Sequence, residues 1–528
     1  MEYQIKTVRQ MLAFAADKYD EKTAFVQIKK KEEIPVSFSE VYDQVLSFGE
    51  WLAAEGIADK RVAIYGENSY QWILTDFTVT AGGGVAVPID KELQLDQIEF
   101  LLKDSESEVL VFSDSYSDIA TELKKTMADM RFINMKEIDS LVKNGKMLRD
   151  NGKCSFLENA PDADDLAMIL YTSGTTGRSK GVMLSHLNLM SQLKVLDALN
   201  LGDVGKRSLQ ILPLHHAFGI TASVYCTFFG GCTNYINRSL RKLKEDIDIA
   251  KPDIVLAVPM VLKFLLDSIN KSIEEKGQKK KFERGIILSR FLRKIGIDKR
   301  RQLFQDVIDA LGGNLKVFVV GGAPIDQNII DAFDDIGITV LNGYGISECA
   351  PVVSVNGIGT AVKRSAGKPL ATNEVRISER GEILVKGDNV MKGYYHLDEE
   401  TQIAFDNGWF CTGDLGELDN KGNLFITGRI KNLIILDNGE NVPAEPLEEL
   451  IYRIPYVKET VVYGDNGKII AEIYLDPDIP EGKEKIRADI DTINKSLPPS
   501  RTIVSIKIRD EEFPKTTTKK IKRTAISK

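Results

Sequence analysis

The sequence lacks the long apolar run that a membrane-spanning helix requires. Its residues are 43% hydrophobic and 28% charged, as in ordinary globular proteins. No stretch approaches the roughly 18 consecutive apolar residues of a membrane helix. Residues 1–22, MEYQIKTVRQMLAFAADKYDEK, carry charges every few positions. They therefore lack the apolar centre of a signal peptide and predict an amphipathic helix. These absences favour a cytoplasmic protein.

The sequence also has few cysteines and histidines, and it has no surplus of positive charge. The five cysteines are scattered without a C-x-x-C pair, and there are only four histidines. This composition argues against a zinc site and favours a reducing compartment. The net charge of −8 argues against a general nucleic-acid binder, which would carry a basic surplus. At 528 residues the chain exceeds one ordinary core, so several subdomains are expected.

The most distinctive stretch covers residues 171–186 and reads YTSGTTGRSKGVMLSH. Apolar runs on both sides of the polar part predict two buried strands joined by a loop. Its glycines, hydroxyls and Lys180 suit a polyphosphate, because they offer close backbone N–H groups, donors and a point charge. The Walker A spacing fails, since Ser179 precedes Lys180 and Gly181 follows it. A flexible connector between two core strands is the alternative interpretation.

From Tyr42 to Ser113 the pattern alternates between helix and strand. VYDQVLSFGEWLAAEGI and SYQWILTDFTVTAGG have a helical period, whereas RVAIYG, GVAVPI and EVLVFS are short apolar runs. Such alternation predicts a parallel sheet covered on both faces by helices. Sites in sheets of this kind lie at the carboxyl ends of the strands.

Three later apolar runs end in turns: SLQILPLHHAFGI, NLKVFVVGGAPID and TVLNGYGISECAPVV. The first strand is expected to stop at Pro213, just before His215 and His216. A histidine in this position is more often a structural hydrogen-bonding group than a catalyst. The other two runs enter glycine turns, which are predicted to lie at the same sheet edge and form walls of one pocket.

Residues 274–301, EEKGQKKKFERGIILSRFLRKIGIDKRR, are strongly basic. A solvated pair of helices is the simpler interpretation. The alternative is a patch that meets anionic lipid or an acidic partner, since basic amphipathic helices can lie on membranes.

The last part of the chain predicts two further sections. GEILVKG, GWFCTGDLGELDNKGNLFITGR and NLIIL read as a small antiparallel section, with Asp414 as a candidate turn former. From Lys431 onward, ENVPAEPLEELIYRI predicts a helix, VKETVVYG and KIIAEIYL predict strands, and a helix precedes LPPS. The polar tail EEFPKTTTKKIKR has no apolar period and could be a frayed terminus.

The order of seven motifs resembles that of the adenylate-forming enzymes: YTSGTTGRSKG, LPLHHAFG, GGAPID, GYGISE, GWFCTGD, GRIKNLI and PKTTTKKIKR. The resemblance covers essentially the whole chain and is strongest to the long-chain fatty acid–CoA ligase branch. It implies an α/β fold: a large N-terminal region of several subdomains, with parallel sheets and a small antiparallel β section, plus a small mobile α+β C-terminal domain. The implied division is 1–429, binding AMP and the acyl group, and 430–528.

The resemblance also implies a two-step reaction. A carboxylate attacks the α-phosphate of ATP, with Mg²⁺ as cofactor, to give acyl-AMP and pyrophosphate. A thiol, that of coenzyme A, then attacks the carbonyl and expels AMP. The first step brings two anions together, so the protein must neutralise charge and align the attack.

The implied roles can be assigned to residues of this sequence. The β- and γ-phosphates would be held by Thr172, Ser173, Gly174, Thr175, Thr176, Gly177 and Lys180. Magnesium would be held by Glu348 together with Thr176, since Mg²⁺ prefers oxygen ligands. Adenine and the adjacent phosphate would be lined by Gly322, Ala323, Pro324, Asn342, Gly343, Tyr344, Gly345 and Ser347. The ribose hydroxyls would bind Asp414, assisted by Arg429.

The remaining implied roles concern the reacting groups. His216 would sit beside the carboxylate, and Lys520 would bridge that carboxylate and the α-phosphate. Lys431 would be the hinge about which the small domain rotates for the second step, presenting a face that includes Gly439 and Asn441. Two departures from the family pattern are Ser179, where proline is usual, and Lys519, where glycine is usual.

Other functions remain open at the level of sequence. The nearest is a ligase that delivers the acyl group to acyl-carrier-protein, for which the basic segment would be a docking site. A non-catalytic acyl-adenylate or nucleotide sensor is a second alternative. The chain has no carrier motif of the G-G-D-S type, which favours a free-standing enzyme. Its acidic net charge predicts no nucleic-acid partner. Acyl-chain length would depend on side chains behind residues 343–345 and 215–219. The sequence also leaves open whether the protein contacts a membrane peripherally.

Overall fold

The computed structural model describes residues 5–30, 32–172, 179–202, 205–436, 440–465, 467–515 and 521–523. The chain divides into two compact units. One comprises Met1–Glu374 with Val385–Phe410, and the other comprises Val375–Leu384 with Cys411–Lys528. The domain boundary expected between residues 429 and 430 stays a prediction. No helix in the described ranges is long and apolar enough to cross a membrane.

The larger sheet of the first unit has nine strands among the described residues. In spatial order they are Lys368–Pro369, Val352–Val355, Thr339–Gly345, Val317–Val320, Ile254–Ala257, Arg207–Gln210, Thr233–Ile236, Thr23–Lys29 and Glu32–Ser37. The strands from Thr339–Gly345 to Thr23–Lys29 pair in parallel, and both edges are antiparallel.

A second sheet of this unit has seven strands within the part that the structure describes. Their order is Gly393–Tyr394, Lys180–Ser185, Leu166–Thr172, Val85–Ile89, Arg61–Tyr65, Val109–Phe112 and Arg131–Asn134. The last five strands pair in parallel, and Lys180–Ser185 is antiparallel to both neighbours. The two strands predicted around the residue 171–186 stretch are therefore present, and the α/β prediction for residues 42–113 is confirmed.

Helices connect and cover these strands. Their bounds in the first unit are Val8–Tyr19, Phe38–Ala54, Tyr70–Ala81, Leu95–Asp104, Ser117–Thr126, Ile138–Asp150, Ser155–Glu158, His186–Ser191, Val195–Leu199, Cys226–Phe229, Leu243–Ala250, Pro259–Glu275, Lys279–Lys294, Arg300–Leu303, Gln305–Ala310, Gln327–Asp335 and Asp398–Ile403. A π-helix covers Phe218–Tyr225. Single 3₁₀ turns cover Asp114–Tyr116, Met135–Glu137, Gln192–Lys194, Leu240–Lys242 and Ser347–Cys349.

Local sequence explains where helices begin and which face they bury. Thr7 and Gln10 form a capping box at the start of Val8–Tyr19, where each side chain accepts a hydrogen bond from the other's backbone N–H. This confirms the N-terminal helix, whose buried residues follow the helical period. By contrast, Tyr70–Ala81 is buried on every side except at Gln71, as expected of a helix without a polar face.

A smaller sheet confirms the antiparallel section. Its order is Asn373–Ile377, Glu382–Gly387, Trp409–Leu418 and Phe405–Asp406, and Leu424–Arg429 also pairs with Trp409–Leu418. The interpretation of Asp414 as a turn former is wrong, because Asp414 lies inside Trp409–Leu418 opposite Arg429. Glycine neighbours indicated a turn, whereas pairing with Leu424–Arg429 keeps the segment extended.

The rest of the second unit is α+β. Leu433–Ile435 pairs with Asn441–Pro443, and Val457–Asp465, Lys468–Leu475 and Ile503–Arg509 form a three-stranded sheet. The helices are Ala444–Tyr452 and Gly482–Asn494, with 3₁₀ turns at Ile430–Asn432 and Pro499–Arg501. Their apolar faces share one core that includes Leu447, Ile451, Ile473, Ile486 and Ile490. The strands and helices predicted after Lys431 are thus confirmed.

Candidate active site

Two neighbouring parallel strands end in glycine turns at one edge of the nine-stranded sheet. Val317–Val320 pairs with Thr339–Gly345, placing Val320 opposite Asn342. Gly321 and Gly322 follow the first strand directly, and Gly343 lies near the end of the second. The prediction that these turns form walls of one pocket is confirmed, because both contribute to the same cavity.

Glycine is required at two of these positions. Gly322 has a φ of +82°, in the left-handed region that favours glycine. At Gly345, an added Cβ would collide with the carbonyl oxygen of Pro351. Gly322 therefore permits the turn after its strand, and Gly345 permits close contact with the backbone of Pro351.

The cavity behind these turns is small and apolar. Its volume is about 60 Å³, and its lining is Val195, Phe218, Ala222, Leu256, Val319, Val320, Gly321, Gly322, Gly343, Tyr344, Gly345, Pro351, Val352 and Val355. The lining has no charged side chain, and Phe218 begins the π-helix. A wider depression of about 420 Å³ over residues 124–132 contains none of the predicted site residues.

The two histidines differ in environment. The strand before them, Arg207–Gln210, ends ahead of the predicted stop at Pro213. His215 Nε2 lies 3.3 Å from Asp90 Oδ1, and burial together with His216 lowers the pKa of His215 to about 3. His216 is half-buried, with its ring centroid 4.2 Å from that of His215. His215 is therefore the neutral, buried partner. The role of His216 beside the carboxylate stays a prediction.

Two residues that the sequence analysis missed hold the histidine segment. Asn68 Nδ2 donates to the carbonyl of Leu212 at 2.7 Å, and Asn68 Oδ1 accepts from the backbone N–H of Leu214 at 3.2 Å. Asp90, which contacts His215, directly follows the strand Val85–Ile89. Because Asp90 follows a predicted parallel strand, its position at the carboxyl end of that strand could have indicated a site residue.

Lys180, Glu348 and Tyr394 form a cluster in the first unit. Tyr394 donates its phenolic hydrogen to Glu348 Oε1 at 3.0 Å, and Lys180 Nζ lies 4.8 Å from the centroid of the Tyr394 ring. The strand pair Gly393–Tyr394 and Lys180–Ser185 brings Tyr394 to this place. Lys180 and Glu348 were each predicted from the sequence, whereas Tyr394, which contacts both, was not.

The surroundings keep Tyr394 protonated and Glu348 positioned. Burial, with a further contribution from the carboxylate of Glu348, raises the pKa of Tyr394 above its usual value. The backbone is also fixed, because the N–H of Met391 donates to the carbonyl of Glu348 at 2.8 Å. Tyr394 is therefore a donor to the carboxylate at neutral pH.

This arrangement fits the magnesium role predicted for Glu348. Tyr394 bonds to Oε1, which leaves Oε2 for a cation. Within the described ranges no group of three or more His, Cys, Asp or Glu residues could hold a metal ion. Mg²⁺ is commonly bound by one or two carboxylates plus substrate phosphates. A single positioned carboxylate is consistent with that mode of binding.

Replacing Tyr394 by phenylalanine should weaken Mg²⁺-dependent ATP binding. The substitution removes the hydroxyl that orients Glu348 but keeps the ring beneath Lys180, and loss of such an orienting bond costs about 10- to 100-fold in metal affinity. Titration calorimetry of ATP at several Mg²⁺ concentrations measures the effect. The matched control is Tyr395→Phe, since the hydroxyl of Tyr395 instead donates to Glu106. Equal Mg²⁺ dependence in wild type and Tyr394→Phe would remove Tyr394 from this role.

The other predicted residues of the first unit lie at or just after the ends of strands in its two sheets. Gly322, Ala323 and Pro324 are exposed directly after Val317–Val320. Asn342 is partly committed to structure, because its Nδ2 donates to the carbonyl of Ser365 at 3.3 Å. Ser347 begins the 3₁₀ turn that carries Glu348. Thr172 lies opposite Lys180 across the antiparallel strand pair.

Asp414 and Arg429 form a pair in the second unit. Arg429 Nε donates to Asp414 Oδ1 at 2.6 Å, and the Asp414 side chain is 4% exposed whereas that of Arg429 is 44% exposed. The backbone N–H of Asp414 donates to Thr412 Oγ1 at 3.1 Å. The structure thus brings together the two residues predicted to bind ribose, with the arginine at the solvent side.

The other two described residues predicted for this unit are Lys431 and Asn441. Lys431 lies in the 3₁₀ turn Ile430–Asn432, and burial, followed by nearby Arg429, lowers the pKa of its ammonium group. Asn441 is exposed at the start of Asn441–Pro443, opposite Ile435. Their roles as hinge and second-step residues stay predictions.

The C-terminal tail is anchored on both sides of the segment that contains Lys520. Before it, the backbone N–H of Phe513 donates to Glu459 Oε2 at 2.8 Å, and Lys515 pairs with the same carboxylate. After it, Arg523 pairs with the buried Glu448. These contacts contradict a tail that is frayed from residue 511 onward.

Several predicted residues lie outside the described residues: Ser173, Gly174, Thr175, Thr176, Gly177, Gly439 and Lys520. The same holds for Lys519, one of the two departures from the family pattern. Their roles stay predictions from the sequence.

Comparison with known proteins found relatives that span most of the chain. Long-chain-fatty-acid–CoA ligase FadD15 of Mycobacterium tuberculosis is 31% identical over 85% of this chain and 78% of its own length. Long-chain-fatty-acid–[acyl-carrier-protein] ligase AEE15 of Arabidopsis thaliana is 27% identical over 93% of this chain and 78% of its own length. The solved structure of o-succinylbenzoate CoA synthetase from Bacillus subtilis, with ATP and magnesium, matches at a TM-score of 0.74 and 24% identity, covering 98% of this chain and 99% of that chain.

The family of the chain follows from a match to a family model. The sequence profile of the AMP-binding enzyme family matches residues 12–395, which include the glycine turns, the histidine pair and the Lys180–Tyr394–Glu348 cluster. The chain therefore belongs to this family, the adenylate-forming enzymes. It is an AMP-forming acyl-CoA ligase, an acid–thiol ligase that activates a carboxylic acid as its acyl-AMP.

Proposed function

We propose that the protein activates a medium- or long-chain fatty acid with Mg²⁺ and ATP, and transfers the acyl group to coenzyme A. The observation that carries the choice of acid is the lining of the cavity beside residues 343–345. It is formed by aliphatic and aromatic side chains and glycine backbone, without a charge. An alkyl chain can be buried there without loss of hydration of a polar group, whereas an amino-acid or dicarboxylate substrate would leave a charge unpaired.

An alkyl chain must displace side chains in order to enter. The cavity holds about 60 Å³, whereas small-molecule sites are usually roughly 300 Å³ or larger. Phe218 forms one wall and begins the π-helix Phe218–Tyr225, and π-helical turns are frequent at functional sites. We therefore expect side-chain movement at Phe218 to set which chain lengths enter.

In the adenylation step the chain's own residues bind and align. Lys180 supplies positive charge to the phosphates, and Glu348, oriented by Tyr394, would hold the magnesium ion. Bound Mg²⁺ neutralises charge on the phosphate oxygens. His216 lies next to the incoming carboxylate, and Lys520 bridges that carboxylate and the α-phosphate. The carboxylate oxygen then bonds to the α-phosphorus while pyrophosphate leaves.

In the second step the thiol attacks the acyl carbon and the bond from that carbon to the AMP oxygen breaks. AMP is the leaving group, and the product is the thioester. Asp414 and Arg429 hold the ribose in both steps. Lys431 is the hinge that exchanges Lys520 for a face carrying Gly439 and Asn441. A cytoplasmic location is part of this proposal.

A second candidate acceptor is acyl-carrier-protein. It is favoured by the similarity to AEE15, whose name specifies that acceptor, over 93% of this chain. The acyl-adenylate chemistry is the same for both acceptors, so only the thiol partner differs.

Product analysis with a panel of acids and two acceptors tests the proposal. The acids run from acetate to oleate and include aromatic and amino acids; the acceptors are coenzyme A and holo-acyl-carrier-protein. We expect acyl-CoA from medium- or long-chain acids, because the apolar lining favours alkyl chains. If the acyl group appears on acyl-carrier-protein and no acyl-CoA forms, the acceptor is acyl-carrier-protein and not coenzyme A. Activity confined to short, aromatic or amino acids would contradict the choice of fatty acid.

A further inference from the structure

The basic segment contains a helix whose inner side is firmly attached to the first unit. Helix Lys279–Lys294 packs Phe282 against Phe304 with ring centroids 5.0 Å apart, and its Ser289 is buried. Arg290 forms a two-pronged pair with Asp335 at 2.6 and 2.9 Å, and Arg293 contacts Asp334 at 2.7 Å. Both aspartates belong to helix Gln327–Asp335.

These contacts fix which side of the helix faces outward. Residues 282, 289 and 293 lie within one side of a helix of 3.6 residues per turn. Bidentate arginine–carboxylate pairs also restrict rotation more than single contacts do. The opposite side of Lys279–Lys294 is therefore held toward solvent.

That solvent side exposes several large apolar side chains. The exposed fraction is 70% for Ile287, 45% for Leu288, 59% for Phe291 and 57% for Ile295. Ile287 and Leu288 lie four and three residues before Phe291, which places all three on one side of the helix. Ile295 follows Phe291 by four residues and directly succeeds the helix end. Single exposed apolar residues are normal on protein surfaces, but a contiguous group of large ones marks an interaction site.

Three cations share this side of the helix with the apolar residues. Lys280, Arg284 and Lys294 lie there at helical spacing, and all three are exposed. No ion pair joins them to another residue of the described chain. Because the whole chain carries a net charge of −8, their positive charge is a local feature. We call the set Lys280, Arg284, Ile287, Leu288, Phe291, Lys294 and Ile295 the outer face.

We propose that the outer face docks the protein on the surface of an anionic lipid bilayer. An amphipathic helix with protruding apolar side chains and flanking cations lies in the membrane interface, where the apolar groups enter the acyl boundary and the cations meet anionic headgroups. Four large apolar side chains of the outer face project into solvent. A bilayer accepts such projections along its whole surface, whereas a folded acidic partner would need a matching groove.

This inference does not rest on the proposed substrate. It depends only on the exposure, spacing and charge of the outer face. If the substrate is a fatty acid, docking also places the enzyme next to the phase in which that acid dissolves.

Co-sedimentation of the full chain with vesicles tests the inference. We expect binding to phosphatidylglycerol vesicles, weak binding to phosphatidylcholine vesicles, and loss of binding as salt rises, because the headgroup attraction is screened. The variant Ile287→Ser/Phe291→Ser should bind about tenfold more weakly or worse, because two large apolar groups no longer enter the bilayer. The variant Lys280→Gln/Arg284→Gln/Lys294→Gln should lose about fivefold for each charge removed.

Matched controls separate the outer face from general effects. Lys143→Gln/Lys153→Gln/Lys244→Gln removes the same charge from three exposed lysines on other segments of the first unit. Met147→Ser/Leu157→Ser removes two exposed apolar side chains elsewhere. Both controls should bind vesicles as wild type does. All variants should keep wild-type melting temperature and wild-type activity toward a water-soluble acid, since the outer face contains no residue of the active site.

Three results would overturn the inference. The first is absence of binding to anionic vesicles. The second is equal binding by wild type and both outer-face variants. The third is an equal loss of vesicle binding in the control variants and in the outer-face variants. If instead the outer-face variants lose only transfer to an acidic carrier protein or only self-association, the occupant is that protein or a second copy, and the bilayer proposal is wrong.

Discussion

Replacing Lys520 by alanine is expected to abolish adenylation while leaving thioester formation from preformed acyl-adenylate near wild type. Lysine is a flexible point charge that can neutralise the meeting of the carboxylate and the α-phosphate. Removing one preorganised electrostatic group typically costs on the order of 100- to 1,000-fold in rate. Pyrophosphate release measures the first half-reaction, and acyl-CoA formed from synthetic acyl-AMP measures the second.

Lys519→Ala is the matched control for this prediction. It removes the adjacent cation, which stands where the family usually has glycine, and should leave both half-reactions within a few-fold of wild type. The anchors at Lys515 and Arg523 remain in both variants, so the tail stays attached. Equal damage to both half-reactions by Lys520→Ala would contradict its assigned role. Loss of adenylation in Lys519→Ala alone would transfer that role to Lys519.

Replacing Glu348 by glutamine should produce the other large effect, a weaker affinity for Mg²⁺ together with loss of most of the activity. The amide keeps the size of the side chain but removes the negative charge that attracts Mg²⁺, and we expect adenylation to fall by on the order of 100-fold. Rates measured across a Mg²⁺ series should show a much higher half-saturating concentration. Calorimetric titration of ATP into the variant at several Mg²⁺ concentrations, without acid, should show the same shift in Mg²⁺ requirement in the absence of turnover.

Glu399→Gln is the control, because Glu399 is an exposed glutamate in helix Asp398–Ile403. It should match wild type in rate and in Mg²⁺ response. An unchanged Mg²⁺ response in Glu348→Gln would remove the metal assignment. A double substitution with Tyr394→Phe should be no worse than Glu348→Gln alone, since Tyr394 acts by orienting that carboxylate.

Local pattern was sufficient to predict many of the elements. The helical period of SYQWILTDFTVTAGG corresponds to Tyr70–Ala81, and the apolar runs RVAIYG and GVAVPI correspond to adjacent parallel strands. The two glycine turns were expected at one sheet edge, and they line one cavity. These features depend on residues close in the chain, whose periodicity and turn chemistry can be recognised from the sequence alone.

Sheet order was not predictable in this way. Thr23–Lys29 pairs with Thr233–Ile236, and no local pattern encodes a partner so distant in the chain. The same dependence on distant strand pairing explains why the sequence indicated a turn at Asp414. Its glycine neighbours resemble a turn, but the pairing of Asp414 with Arg429 across two strands decides its conformation.

The parts of the site that were missed also depend on distant contacts. Tyr394 reaches Glu348 only because Gly393–Tyr394 pairs with Lys180–Ser185. His215 and His216 are adjacent in sequence, and only the approach of Asp90 and the burial around His215 distinguish them. For the basic segment, the sequence indicated charge, whereas the fold determines that Ile287 and Phe291 face outward.

The central claim is that the protein activates its acid as an acyl-adenylate, and oxygen labelling tests it directly. The enzyme is supplied with ¹⁸O-carboxylate-labelled palmitate, ATP, Mg²⁺ and coenzyme A, and the AMP is examined by mass spectrometry. One carboxylate oxygen should appear in each AMP, because attack on the α-phosphorus forms that bond and the thiol later breaks the bond on the carbon side. Unlabelled AMP formed together with acyl-CoA, or label found in inorganic phosphate with ADP as product, would contradict the account.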